Sequence, residues 1–253
     1  MNAVLALATK ELRVLSKDPR GLGNLFIMPT MFLVVMSLAL SKSFASGKPG
    51  MPNVLQHNVP GWTLFGLFFI APMLSFNLLE ERKLGTFRRL LAAPVSRGAL
   101  LLGKLLPFFA VNLAQVVTMF AFGALVMPLL GAPALQLRNP FALLAVTVAA
   151  SLAATSLGLL IASLARTTEQ VGSVGSLLVV TMAALGGVMV PRFAMPGWMQ
   201  TVGLATPHAW ALTAYQDVLV RGAGVVAVLP AMAALLGFAG VFFAVAAVRF
   251  RWE

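Results

Sequence analysis

The side chains able to do chemistry are few in this chain, and most stand in one stretch. LEERKLGTFRRLLAAPVSRGALLLGK, residues 79 to 104, holds eight charged residues, while long apolar runs lie on both sides of it. Glu80, Glu81, Arg82 and Lys83 close one apolar run, and adjacent carboxylates and cations of this kind suit ion pairing and hydrogen-bonded docking. Leu84, Phe87 and Leu91 then recur at i, i+3 and i+7, the spacing of one helix face. The spacing predicts a short amphipathic helix with Leu84, Phe87, Leu90 and Leu91 inward, Arg82 and Arg89 on the opposite face, and Arg88 at its border. Pro94 disfavours helical geometry at Ala93 and stops that helix, and Ser96 is placed to cap the next one. A basic loop between apolar runs can also do no more than hold itself on one side of a membrane. Retention needs only charge, however, and not two carboxylates at one edge, a Gly85-Thr86 pair and a proline stop.

Bond-making chemistry has little to work with elsewhere. There is no cysteine, so disulfides and thiolate metal sites are excluded. No GxxxxGK[ST] stretch supplies a phosphate-binding loop, and neither HExxH nor GxSxG is present. His57 reads as a solvated histidine in a polar connection, with no second metal-type ligand at useful spacing. His208 and Asp217 read as cap or interface residues. Neither a catalytic residue nor a metal site is expected, and no cofactor in this chain.

The elements around the loop follow from composition. With 253 residues, 60% of them hydrophobic and 10% charged, the chain departs far from a soluble domain, in which about 25% would be charged. It reads as an all-α polytopic membrane protein with a single domain, 1–253. A bilayer core of ~30 Å needs about 20 helical residues, and that ruler gives six spans: 22–40, 59–79, 105–130, 141–165, 171–190 and 225–248. Residues 1–21 precede them as an amphipathic helix along the membrane surface. There Val4, Leu5, Ala8, Leu12 and Leu15 share a face and Lys10, Arg13 and Lys17 project from the other. Glu11 interrupts the apolar face, either as a flaw in that picture or as a contact to a neighbouring polar element.

The net charge of +11 would suggest nucleic acid in a soluble protein, but here the basic residues sit at the ends of apolar runs, where they orient spans. If both termini are cytoplasmic, thirteen Lys and Arg gather on that side against five outside: Lys42, Lys48, Arg138, Arg192 and Arg221. Nucleic acid is not an expected partner; membrane lipids are. None of the six span interiors carries an ionisable residue, which weakens an ion-coupled carrier. Asn77, Asn112 and Gln115 are a thin lining for a channel. A secondary carrier or channel not driven by ATP nevertheless stands as the alternative. Between the fifth and sixth spans, 191–224 is apolar and aromatic but broken by Pro196, Gly197, Gly203 and Pro207. Its pieces are too short to cross a membrane and read as re-entrant or interfacial helices. Trp198, Trp210 and Tyr215 suit an interface where one end of the ring stays wet, and Thr206-Pro207 is a capping hydroxyl followed by proline at the first helical position. In the fifth span Gly172, Ser173, Gly175 and Ser176 allow close helix approach.

Glu80-Glu81-Arg82, Gly85-Thr86, Ala93-Pro94-Val95-Ser96-Arg97 and Gly103-Lys104 together resemble the cytoplasmic coupling loop, 80–104, of the type-2 ABC exporter permeases, the membrane subunits driven by separate ATPase chains. PxxxxPGW followed by TPxxW, just before the last span, resembles the outer re-entrant hairpin of the same family. The resemblance covers nearly the whole chain. It implies a permease that dimerises, docks one P-loop ATPase per copy through the 80–104 loop and leaves ATP and Mg to that partner. A bacterial or archaeal cytoplasmic membrane is the implied setting. Glu80, Glu81, Arg82, Gly85, Thr86, Phe87, Arg88, Arg89, Pro94 and Arg97 would serve coupling, with Glu80 or Glu81 accepting from Lys10 or Arg13 of the amino-terminal helix. The second and fifth spans would line the pathway, through Phe65, Phe68, Phe69, Met73 and Asn77 and through Leu177, Val180, Thr181 and Met182. The fifth span is either packed as an ordinary helix or set at a dimer seam. Pro196, Trp198, Pro207, Trp210 and Tyr215 would form an outer gate.

Overall fold

The computed structural model describes residues 3–42, 44, 52–86 and 96–249, and among these it is helical with no strand. The helices are α1 (Ala3–Ser16), α2 (Pro19–Leu40), α3 (Val54–Lys83), α4 (Arg97–Leu125), α5 (Pro140–Leu164), α6 (Thr168–Leu185, wound as a π-helical turn over Val171–Gly175), α7 (Gly197–Gly203), α8 (Pro207–Arg221) and α9 (Val225–Arg249). Six of them, α2 to α6 and α9, are long and apolar enough to cross a membrane, which bears out the expected six spans.

Local chemistry sets several ends. Asp18 accepts from the Gly21 N–H and Pro19 opens α2, so the chain breaks between α1 and α2 where Asp-Pro stands. Ser96 caps α4 by accepting from the Ala99 N–H, as its position suggested. Helix α3 starts earlier than the apolar run, because Asn53 and Gln56 form a reciprocal capping box. His57 therefore lies in a helix with 1% of its surface exposed, and not in a solvated loop. At 30 residues α3 is roughly 45 Å long. That exceeds a ~30 Å hydrocarbon core, so its ends stand beyond the apolar layer. Gly85, with φ +68°, turns the chain out of it.

Helices α3 and α5 form the centre, and α2, α6 and α9 present most of their surface outward. Helix α5 is rich in alanine, serine and glycine, so its neighbours approach closely. At the crossing with α3, Ser75 Oγ lies 2.7 Å from both the Ala71 and Gly158 carbonyls. Along α2, Pro29 lacks the N–H that would bond the Leu25 carbonyl. Gln115 of α4 supplies that bond instead, its Nε2 donating to Leu25 O at 3.0 Å. The amide reaches Leu25 across Gly66 of α3, where any Cβ would overlap it.

Candidate functional site: a buried charge network and an apolar cavity

One face of α1 is buried along the start of α4, and it carries Leu7, Ala8, Glu11 and Leu15. Leu7 seats on Gly103, where an added Cβ would come within 2.9 Å of the leucine side chain. One residue on, Lys104 is 1% exposed and Glu11 0% exposed, and Lys104 Nζ donates to Glu11 Oε1 at 2.5 Å. Lys104 also bonds Glu81 Oε2 at the end of α3. Lys10 Nζ completes the group, donating to Glu81 Oε1 at 2.6 Å and to Glu11 Oε1 at 2.7 Å. Partial burial pulls the Lys10 ammonium down, but its hydrogen bonds to Glu11 and Glu81 and their charges outweigh it and hold its pKa above the ordinary lysine value. Two carboxylates and two ammonium groups thus neutralise one another where α1, α3 and α4 meet.

Of the two open partners for the α3 carboxylates, Lys10 meets Glu81; Arg13 is exposed, as is Lys17. Glu80 lies 3.7 Å from Lys83, and Lys83 Nζ donates to Thr168 Oγ1 at 2.8 Å, tying α3 to the start of α6. Arg82 and Thr86 are half-buried beside them. Phe87, Arg88, Arg89 and Pro94 lie outside the described residues, as does the Arg97 side chain. The apolar face of α1 also differs from the expected one. Leu5 and Leu12 are exposed on its flank, because the face chosen for burial is the one that delivers Glu11 to Lys104. Lys104 and Glu11 had no assigned partner in the sequence reading. The signals were a lone carboxylate within an apolar face and a lone lysine within LLLGKLLPFF.

A cavity of about 580 Å³ opens between α2, α3 and the π-helical turn of α6. Phe65, Phe69 and Met73 line it from α3, Met28 and Met31 from α2, and Val171 and Gly172 from α6, with Asn24 the only polar side chain. Three of the nine expected pathway residues therefore meet there. Phe68 is buried behind them and lies against His208, their ring centroids 4.1 Å apart. Asn77 is half-buried away from the cavity, and Leu177, Val180, Thr181 and Met182 lie further along α6, with Leu177 and Thr181 exposed. The π-helical turn was not anticipated; it brings Val171 and Gly172 to the cavity.

The segment between the fifth and sixth spans folds as two short helices, α7 and α8. Pro196 caps α7 and Trp198 on it is exposed. Pro207 opens α8, but the Thr206 hydroxyl donates back to the Gly203 carbonyl at 2.8 Å and does not cap the helix. Trp210 Nε1 donates to Leu204 O at 2.9 Å. Tyr215 is fully buried, without a wet end: its oxygen lies 2.7 Å from Thr147 Oγ1, and since that hydroxyl donates to Leu143 O, Tyr215 is the donor. His208 is likewise fully buried, neither capping nor at an interface, while Asp217 pairs with Arg221 at 2.5 Å.

These features define a polytopic helical membrane protein whose charged side chains gather at the helix ends and whose spans enclose an apolar cavity. Residues 2–220 match the ABC-2 type transporter family, and the chain belongs to that family. It is 31% identical over 180 residues to the linearmycin resistance permease protein LnrN of Bacillus subtilis (strain 168), a match covering 70% of this chain and 45% of that protein. It is 32% identical over 175 residues to the inner membrane transport permease YhhJ of Escherichia coli (strain K12), covering 69% of this chain and 46% of the relative. The match thus spans about half the length of each relative.

Proposed function

We propose that the chain is the membrane-spanning half of an ATP-driven exporter, in which two copies enclose the pathway and a separate P-loop ATPase docks on the 80–104 loop of each. The observation that carries this reading is the buried network of Glu11, Lys10, Glu81 and Lys104. It joins the helices on both sides of that loop, α3 and α4, to each other and to α1. A loop that merely kept itself inside by charge would hold its cations in water. Here Lys104 is buried and neutralised by two carboxylates, at a desolvation cost that charge retention alone does not call for. Force applied to the loop by a docked ATPase would move α1, α3 and α4 together, and α3 carries Phe65, Phe69 and Met73 into the cavity. With both termini and the network on the cytoplasmic side, the excess of basic residues falls inside.

The cavity's lining favours apolar or amphipathic cargo, since a charged group inside it would meet one asparagine and no counterion. A relative named for linearmycin resistance is in keeping with an exported toxic compound. The test is copurification with a P-loop ATPase subunit from the same organism, followed by a screen for compounds that stimulate ATP hydrolysis. Glu81→Gln is expected to leave insertion and dimerisation intact while lowering stimulated hydrolysis severalfold, and a change at Lys48 to leave it unaltered. Wild-type hydrolysis and transport by an assembled Glu81→Gln complex would overturn the coupling role.

A further inference from the structure

At the end of the bundle opposite the charge network, a cavity of about 230 Å³ is bounded by His57 at the start of α3, by Arg192 and Gln200, and by Thr213 and Gln216 of α8. We propose that this cavity binds an oxyanion, a carboxylate or phosphate group, on the Arg192 guanidinium. Arg192 spends two of its donors on neutral acceptors, Nη1 on Thr213 Oγ1 at 3.2 Å and Nη2 on the Gln200 carbonyl at 3.1 Å. Its Nε is buried and has no hydrogen-bond partner. The seat is built for the side chain: Gly187 adopts φ +94°, and a Cβ there would overlap Arg192 Cγ.

Among the described residues the chain supplies no counterion. It has seven acidic residues. Glu11, Asp18, Glu80, Glu81 and Glu169 belong to the other end, where α1, the start of α2, the end of α3 and the start of α6 lie. Glu253 lies outside the described residues. That leaves Asp217, which is committed to Arg221 at 2.5 Å. Among the described residues four basic ones, Lys42, Arg138, Arg192 and Arg221, stand at this end against that one carboxylate.

His57 adds a second unspent donor. The Gln216 side-chain nitrogen lies 3.0 Å from Nδ1, and since an amide nitrogen only donates, Nδ1 accepts and the neutral ring carries its proton on Nε2. That Nε2 is buried and closes no hydrogen bond, the Val188 carbonyl lying beside the ring. Water would satisfy the idle N–H groups but not the charge, whereas an oxyanion supplies acceptor lone pairs and negative charge together. Phe193, exposed and lining the cavity, gives the site an aromatic edge suited to a membrane interface. An anionic phospholipid headgroup and a free phosphate present the same group to Arg192.

The experiment follows thermal unfolding of the full chain purified in detergent, with added phosphatidylglycerol, phosphatidylcholine or inorganic phosphate at constant ionic strength. Stabilisation of the wild type by phosphatidylglycerol but not phosphatidylcholine assigns the site to a headgroup, and stabilisation by phosphate alone assigns it to a soluble oxyanion. In either case Arg192→Gln should raise the half-saturating concentration at least tenfold, while Arg221→Gln leaves it unchanged. If Arg192→Gln does not fold, Arg192→Lys decides, because it keeps the charge but loses the planar fork and should weaken binding severalfold. The proposal is overturned if neither anion stabilises the wild type, or if the Arg192 variant that folds responds as the wild type does.

Discussion

Lys104→Met tests the charge network most directly. The substitution keeps the side chain's length and apolar stem but leaves Glu11, with no exposed surface, facing Glu81 with Lys10 as the cation bonded to both. Breaking a buried ion pair from one side costs about 3–5 kcal/mol, because the remaining charge stays desolvated. Expressed as an equilibrium for the docking of α1 on α4, that is roughly a hundredfold to a few thousandfold. Expressed as global stability in a chain of this size, it is on the order of 6–20 °C in Tm. The natural chain has no cysteine, so Ala8→Cys, at a position buried between α1 and α4, reports the docking by its rate of maleimide labelling. In the wild-type background labelling should be slow; with Lys104→Met it should rise at least about a hundredfold, or Tm should fall by the amount given. Adding Glu11→Leu should restore most of the loss, because an apolar pair of similar volume is often as stable as the buried ions it replaces. Equal labelling rates and equal Tm in the wild type, the single and the double variants would refute the coupling of these charges.

Gln115→Leu removes the donor that serves the Leu25 carbonyl beside Pro29 and should cost about 1–3 kcal/mol, read as a lower Tm. Tyr215→Phe takes one hydrogen bond from a buried hydroxyl pair and should cost about 0.5–1.5 kcal/mol in the same assay. Phe69→Ala, within the cavity, should change which compounds stimulate ATP hydrolysis with little loss of stability. Phe68→Ala, behind it, should cost about 3–5 kcal/mol in unfolding instead. For orientation, an impermeant thiol reagent applied to intact cells should label Gln136→Cys but not Ser96→Cys, both positions being exposed. Labelling of the second from outside would reverse the assignment.

What the sequence made legible was whatever a helix records about itself. Apolar length located six spans, and Ser96 marked a helix start because a cap needs only residues three positions away. The Asn53/Gln56 box is equally local and was readable; weighting the polar connection as a loop hid it, and with it the burial of His57. The charge network was not readable in the same way. Glu11 and Lys104 are 93 positions apart, and helical periodicity can flag a misplaced carboxylate without naming the lysine that meets it. Tyr215 shows the converse error. Its type suits an interface, but Thr147, 68 positions away, offers an acceptor that lets the ring be buried. The cavity was half legible: the family resemblance nominated Phe65, Phe69 and Met73 of α3, but which turn of α6 reaches it depends on π-helical winding that no spacing rule anticipated.

Helix α3 connects these parts physically. Its charged end is held by α1 and α4 through Glu81 and by the start of α6 through Lys83, and Thr168 lies three residues before Val171 in the cavity wall. Its middle faces that cavity through Phe65, Phe69 and Met73. Its first turn, through His57 and Gln56, bonds Gln216 and the Leu219 carbonyl of α8. Helix α3 runs unbroken through 30 residues, Pro60 and Pro72 included, and close packing against α5 at Gly158 leaves little room for it to bend there. A displacement of the Glu81 end therefore has two outlets, a change in the cavity between α2, α3 and α6 and a change in the seat of α8. At the seat of α8 the first turn of α3 is held by the side-chain bonds of Gln56 and His57, and at the cavity α3 faces open space, whereas along α5 it is closely packed, so both outlets yield before the α5 seam does.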